Sequence, residues 1–269
     1  MPELPEVETV RQTLKQFVLN QKIQSIDVYY EKIIDGDTQE FINALTHQTI
    51  QDIDRIGKYL IFILDDVAFV SHLRMEGKYH ILPAHTPCDK HTHVVFHMGE
   101  NDLRYMDTRK FGRMQLVDKI TYRNQLPLSK LGKEPFTITT EELYQRLHHT
   151  SLPIKTALLD QSIMSGIGNI YANEICFLMH IDPRTKANRL SKKRVDELRQ
   201  ISIDVLKRAI AQGGTTIHSF DANGIHGLFQ VQLNAHGQKE CPICHGNIKK
   251  IMVNQRGTYF CPNCQKRRY

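Results

Sequence analysis

The chain of 269 residues is long enough for two domains, and its 41% hydrophobic and 24% charged residues are ordinary for a globular protein. It has no run of about 18 apolar residues, which excludes a transmembrane helix, and no basic segment followed by an apolar one at its start, which excludes a secretory signal. The expectation is a cytoplasmic protein, and the net charge of +6 suggests a polyanionic partner.

The opening MPELPEVETV leads into Val7, Val10, Leu14, Phe17 and Val18 at helical spacing, so residues 5–19 read as an amphipathic helix. Pro5 suits its first turn, and Glu6 and Glu8 suit the positive end of the helix dipole. Short β-rich runs follow at 23–30, 49–56, 59–65, 67–73, 93–98 and 103–107, and their regular spacing predicts an antiparallel sandwich or barrel. The Pro-, Gly- and Lys-rich stretch 126–136 reads as a linker. Thr139 with Glu142 then forms a capping-box signature, and helical patterns run over about 154–164, 169–180 and 191–212. Residues 213–237 carry five glycines and read as a long loop.

The tail holds two C-x-x-C pairs, Cys241 with Cys244 and Cys261 with Cys264, separated by sixteen residues. That spacing suits a structural Zn2+ site, with a β-hairpin between the pairs bringing four thiolates into one closed tetrahedron. Redox pairs are the alternative, but nothing thioredoxin-like surrounds them, and Cys88 and Cys176 are left as reduced thiols. Residues 241–269 also hold Lys249, Lys250, Arg256, Lys266, Arg267 and Arg268 and no acid, so this segment alone carries as much charge as the whole chain's excess. It is either a polyanion-binding surface or a solubilising tail. Arg256, at the expected hairpin turn, is placed to clamp a phosphate if the former holds.

Three further stretches carry chemistry. In SGIGNIYANE the glycines Gly166 and Gly168 break one helix, and Asn169 can cap the next. That turn can bind phosphate or simply join two helices. In LRYMDTRKFGR, the basic residues Arg109, Lys110 and Arg113 surround Phe111, a pattern that suits backbone contact plus insertion between bases, or a core aromatic on a loop. His72, Arg74 and Met75, and the pair His91 and His93, admit the same two readings; the histidine pair lacks a third metal ligand and suits phosphate better. Finally, Met1 is removable before a small residue, which would leave Pro2 with a secondary amine, a nucleophile toward sugar C1′ with Glu3 beside it as acid or base. Taken alone, the decapeptide is equally a helix start with its prolines and acids placed for capping.

Together PELPEVE (2–8), RKFG (109–112), GIGNIY (166–171) and the four-cysteine unit resemble the formamidopyrimidine-DNA glycosylase family of bacterial base-excision enzymes, in order along the whole chain. The resemblance implies an α+β protein. An N-terminal antiparallel β-sandwich with a leading helix would span 1–130, a helix-two-turn-helix domain with a lesion-covering loop 131–237, and a four-cysteine zinc finger 238–269. It implies a monomer acting on double-stranded DNA that contains oxidised purines or abasic sites. By the same resemblance Pro2 is the Schiff-base nucleophile, Glu3 the acid/base, and Lys58 a phosphate contact that aids β-elimination. Arg256 is the phosphate clamp linked to δ-elimination. Asn169 grips phosphate, and Met75, Arg109 and Phe111 fill the hole left by the flipped base; His72 and His91 are expected to contact DNA from their own sequence pattern. Glu6 and Glu174 match acidic residues near the active site. The chain departs from the family pattern at His218, His236 and Gln238, which touch lesion preference and DNA grip. The alternatives are a damaged-DNA-binding zinc protein without catalysis and an endonuclease VIII-like enzyme for oxidised pyrimidines.

Overall fold

The computed structural model describes residues 1–213 and 233–267. The chain divides into two compact units, the first built on Met1–Ser129 and the second on Lys130–Gln212 with the C-terminal finger. The long loop expected over 213–237 lies outside the described residues except at its ends, and so does His218.

In the first unit, helix α1 spans Leu4–Val18, with Pro5 in its first turn. The backbone N–H of Glu3 donates to the Glu6 carboxylate at 2.8 Å, so Glu6 closes the helix start by reaching back along the chain. Val7, Val10, Leu14 and Val18 are all fully buried. Each such side chain contributes roughly 1.5–3 kcal/mol by leaving water. Phe17, counted in the same stripe by its spacing, lies at its edge and stays exposed.

Eight strands form two four-stranded antiparallel sheets: β1 (Ser25–Val28), β6 (Thr92–His97), β7 (Asn101–Met106) and β5 (Lys78–Pro83) in one, and β2 (Asp52–Ile56), β3 (Tyr59–Ile63), β4 (Val67–His72) and β8 (Arg113–Asp118) in the other. The expected sandwich is therefore present. β5 and β8 were not among the expected strands, and both lie at a sheet edge. Edge strands tolerate Pro83 and a mixed burial pattern, so their periodicity is weak. Helix α2 (Thr38–Leu45) was also not expected; Asp37 caps it, accepting from the Glu40 N–H at 2.7 Å, and it buries Phe41 and Leu45. The core is aromatic at its centre. Phe69 stacks on Phe62 at 4.5 Å and on Phe96 of the other sheet at 5.5 Å.

A polar strap crosses the first sheet. His97 lies between Asp27 of β1 at 3.1 Å and the buried Asp102 of β7 at 2.8 Å. Asp102 also accepts from Arg104, whose guanidinium donates on to the Thr86 and Pro87 carbonyls and ties down the loop before β6.

The second unit begins at Lys130, inside the expected linker 126–136. Thr139 and Glu142 form the capping box of α3 (Thr140–His148). α4 (Ile154–Leu159) is shorter than its pattern suggested, because Gln161 builds a double turn. Its amide donates to the Leu159 and Ile167 carbonyls and accepts from the Gly166 N–H. α5 (Asn169–Leu178) and α6 (Lys192–Ala211) follow, and β9 (Lys249–Val253) pairs with β10 (Arg256–Phe260) as an antiparallel hairpin. Among the described residues no helix is long and apolar enough to cross a membrane.

Burial disfavours the His97 cation, yet its hydrogen bonds to Asp27 and Asp102 win and raise its pKa above the ordinary 6.5. A raised folded-state pKa contributes stability that is complete below about 6.5 and is lost as pH rises through the folded value. His97→Gln should therefore lower the urea midpoint at pH 6 and converge on wild type by pH 8; equal losses at both values would count against the strap.

Candidate functional site

In the first unit, charges gather at the start of α1. Pro2, Glu3, Glu6 and Lys58 are all buried. Burial lowers the pKa of the N-terminal amine below its ordinary 8.0; Glu3 and Glu6 pull it back up, and Lys58 pushes it down. The amine, both carboxylates and the Lys58 ammonium therefore share one electrostatic environment. Lys58 follows Gly57, whose φ of +57° makes the tight β2–β3 turn. That turn is braced from α1. Glu8 accepts from Arg55 at 2.9 Å, and Arg55 donates to the Gly57 carbonyl at 3.0 Å. Although burial opposes it, hydrogen bonds from Arg11, Arg55 and Gln12 hold the Glu8 carboxyl below its usual range. Glu8 thus serves the Lys58 turn, beyond the helix dipole expected of it.

His72 ends β4, buried, with Tyr59 edge-on at 4.4 Å. Its Nδ1 accepts the Arg74 N–H at 2.9 Å, and burial, with Arg74 and Lys58 nearby, pushes its pKa down to about 3. A neutral ring offers no charge to a phosphate; what His72 does here is shape the turn that carries Met75, where Arg74 has a φ of +53°. His91 is partly exposed, and its carbonyl accepts the Asp107 N–H at 3.0 Å. Arg109 lies over the Phe111 ring at 4.8 Å, and Phe111 is 48% exposed. An aromatic ring held out in water with a guanidinium on its face is not a core residue.

In the second unit, Asn169 is not the cap expected of it. Gly168 occupies the cap position, and Asn169 is the first residue of α5. Its amide donates to the Gly257 carbonyl of the hairpin at 3.1 Å, and its carbonyl accepts from Lys155 at 2.7 Å. Lys155, fully buried on α4, also donates to the Gly257 carbonyl at 3.0 Å and to the Thr258 hydroxyl at 2.7 Å. One ammonium therefore joins α4, the start of α5 and the strand carrying Arg256. Arg256 is exposed and follows the turn Asn254–Gln255, both at positive φ, as a two-residue hairpin loop requires. Lys155 escaped sequence reasoning, and its only signal was a lone lysine inside the apolar run LPIKTALL.

Glu174, also buried, accepts from the backbone N–H groups of Asn234, Ala235 and His236 at 2.7–2.9 Å. It anchors the chain where it re-enters the described structure. His236 meets the Asn173 amide at 2.6 Å and packs on Tyr259 at 4.9 Å; burial, then Lys155 and Lys250, push its pKa down to about 4. Gln238 is exposed.

Cys241, Cys244, Cys261 and Cys264 bring their Sγ atoms within 4.8 Å of one another, with Cys241–Cys264 at 3.7 Å and Cys244–Cys261 at 3.5 Å. Thiolates at about 2.3 Å from one tetrahedral Zn2+ sit about 3.8 Å apart, so the donor set fits that ion and leaves no open position. Cys176 is fully buried, which pushes its thiol up to about 12, and it plays no part in the cluster.

The fold and the four-thiol site define a two-unit protein in which a β-sandwich is joined to a helical unit bearing a zinc finger. Family models match in the same order: the formamidopyrimidine-DNA glycosylase N-terminal domain at residues 1–114, its H2TH domain at 131–221, and the zinc finger found in FPG and IleRS at 238–267. A formamidopyrimidine-DNA glycosylase of Ligilactobacillus salivarius is 48% identical over 98% of this chain and 99% of its own length. Among solved structures, a Lactococcus lactis FPG mutant in complex with a Fapy-dG containing DNA has a TM-score of 0.94 at 38% identity, covering 99% of this chain and 100% of that one. The Lactococcus lactis Fpg with an abasic site containing DNA has a TM-score of 0.93 at 37% identity, covering 98% and 100%. The chain belongs to the formamidopyrimidine-DNA glycosylase family.

Removing the Lys155 ammonium takes the donor from the Asn169 carbonyl oxygen and leaves the Gly257 carbonyl with the Asn169 amide alone. Lys155→Met should cost about 2–3 kcal/mol in urea unfolding. Metal analysis should give one zinc per chain, and chelation should abolish the hairpin's amide protection from hydrogen exchange while leaving that of the β-sandwich intact.

Proposed function

We propose that this protein is a bifunctional DNA glycosylase and AP lyase of base-excision repair, acting on oxidised purines such as 8-oxoguanine and formamidopyrimidines. The observation that carries the reading is the amine at the start of α1. It is buried, its pKa is lowered, and Glu3, Glu6 and Lys58 act on it. That amine belongs to Met1; once Met1 is removed, the N-terminus becomes the secondary amine of Pro2, one residue on in the same buried turn.

In this reading the neutral Pro2 nitrogen attacks C1′, the bond to the damaged base breaks, and Glu3 moves the proton that opens the sugar to an iminium. The iminium accepts the electrons released when a C2′ proton is lost, so the 3′-phosphate leaves. A second proton loss expels the 5′-phosphate. Lys58 and Arg256 supply positive charge for phosphates, each from its own unit, and Asn169 offers its amide beside the hairpin. Phe111, Arg109 and Met75 take the space of the extruded nucleotide, since C1′ is poorly reached while the base is stacked. The four thiolates would hold a zinc whose contribution is to fix the hairpin that displays Arg256. His236, neutral and tied to Asn173, contributes no charge to the grip at pH 7.

Borohydride should trap a covalent adduct between the Met1-less protein and an 8-oxoguanine duplex, and Pro2→Gly should remove it. An adduct that survives Pro2→Gly, or none with wild type, would favour the binding-protein alternative. Arg256→Ala should shift products from β,δ- to β-elimination on denaturing gels. Preference for dihydrouracil over 8-oxoguanine would move the substrate class to pyrimidines. Because the amine must be neutral, trapping should fall as pH drops through a value below the ordinary 8.0.

A further inference from the structure

The two loops that carry Met75 and the Arg109–Phe111 pair leave one end of the first sheet, where Lys78 of β5 pairs with Met106 of β7. Just beyond that pair lies Asp107, 1% exposed. Its Oδ1 accepts the Arg109 N–H at 2.9 Å, and its Oδ2 accepts those of Phe111 and Gly112, each at 2.9 Å. Its own N–H donates to the His91 carbonyl, and its carbonyl meets His93 Nε2 at 2.7 Å. Every polar atom of the residue is used. The turn it organises includes Lys110 at a φ of +58°, a conformation that a non-glycine residue holds only when its surroundings impose it.

The second loop is locked to the first in two ways. The Thr108 hydroxyl donates to the Glu76 carboxylate. Beneath both loops lies the buried Tyr105. A methyl group placed on Gly77 would come within 2.2 Å of the Tyr105 hydroxyl, and one on Gly112 within 1.6 Å. The two glycines let two backbones close onto one phenol oxygen. Burial, with the Asp107 carboxylate nearby, pushes that phenol's pKa up, so it stays protonated. Glu76 is also among the charges acting on the Met1 amine.

We infer that Asp107 is a positioning residue for base extrusion: its carboxylate holds the Arg109–Phe111 turn on Tyr105 and thereby registers that turn against the Met75 loop. The inference rests on the reading of Met75, Arg109 and Phe111 as the groups that fill the vacated stack. A carboxylate serves because three N–H groups converge on it. An amide in its place keeps the size but turns an NH2 group toward at least one of those donors. The turn then loses its geometry while the amine chemistry, which Asp107 does not touch, stays whole.

The test compares Asp107→Asn, Phe111→Ala and wild type in two single-turnover assays. One is excision of 8-oxoguanine from a duplex carrying 2-aminopurine beside the lesion. The other is nicking of an abasic site in single-stranded DNA, which has no stacked hole to fill. Asp107→Asn should slow duplex excision and the 2-aminopurine rise by about 10–100-fold, as misplacements of that kind do, and leave single-strand nicking within about twofold. Preserved nicking also shows that the variant is folded. If Asp107→Asn matches wild type on the duplex while Phe111→Ala is slow, the inference fails and the extrusion reading stands. If Phe111→Ala is itself unaffected, the extrusion reading fails and takes the inference with it. Equal loss in both assays would make Asp107 a general structural residue and overturn the inference.

Discussion

Burying the first turn of a helix together with its charges is the constraint around which the first unit is arranged. An α-helix starts with unpaired N–H groups, and here the chain's own amine lies beside them. Desolvation lowers the amine's pKa toward the neutral, nucleophilic form, but it would also penalise every charge nearby. The sequence answers with paired groups. Glu6 takes the Glu3 N–H, Glu8 takes Arg11 and Arg55, and Arg55 in turn holds the Gly57 carbonyl of the turn that presents Lys58. The apolar stripe of α1 anchors this polar turn to the sandwich, so the amine and the Lys58 ammonium are placed by packing far from either.

The second unit solves a similar problem with a single cation. Lys155 is buried and donates to an amide oxygen, a carbonyl and a hydroxyl. Those acceptors lie 14 to 103 residues from the lysine in sequence, so the ammonium acts as a rivet between the double turn and the finger. The four thiolates fix the far side of the same hairpin. Arg256 needs both, because a two-residue turn on an isolated hairpin has little stability of its own.

Much of this was legible in the chain. The stripe Val7–Val10–Leu14–Val18 and the capping box at Thr139 are local, and the structure shows both. The thiol pairs were legible because metal geometry constrains their spacing. What escaped were elements whose signal is not periodic. β5 and β8 lie at sheet edges, α2 is short, and α4 stops early because Gln161 folds back on the chain. Lys155 escaped because its partners lie on segments distant in sequence, and Asp107 because its carboxylate meets backbone N–H groups, which carry no mark in the sequence.

By itself the sequence determined the helix starts, the alternation that makes a sandwich, the closed thiolate set and the residue types that nucleophilic and phosphate chemistry requires. Those are properties of neighbours a few residues apart, where side-chain type and spacing suffice. Only the tertiary structure decided that Asn169 faces the hairpin instead of capping its helix, that His72 is a neutral ring under a turn, and that Phe111 stands out in water. Each of these depends on which distant group satisfies a hydrogen bond or removes water. The opening MPELPEVE shows both: its helix start is local, and the lowered pKa of the Met1 amine comes from burial that the fold supplies.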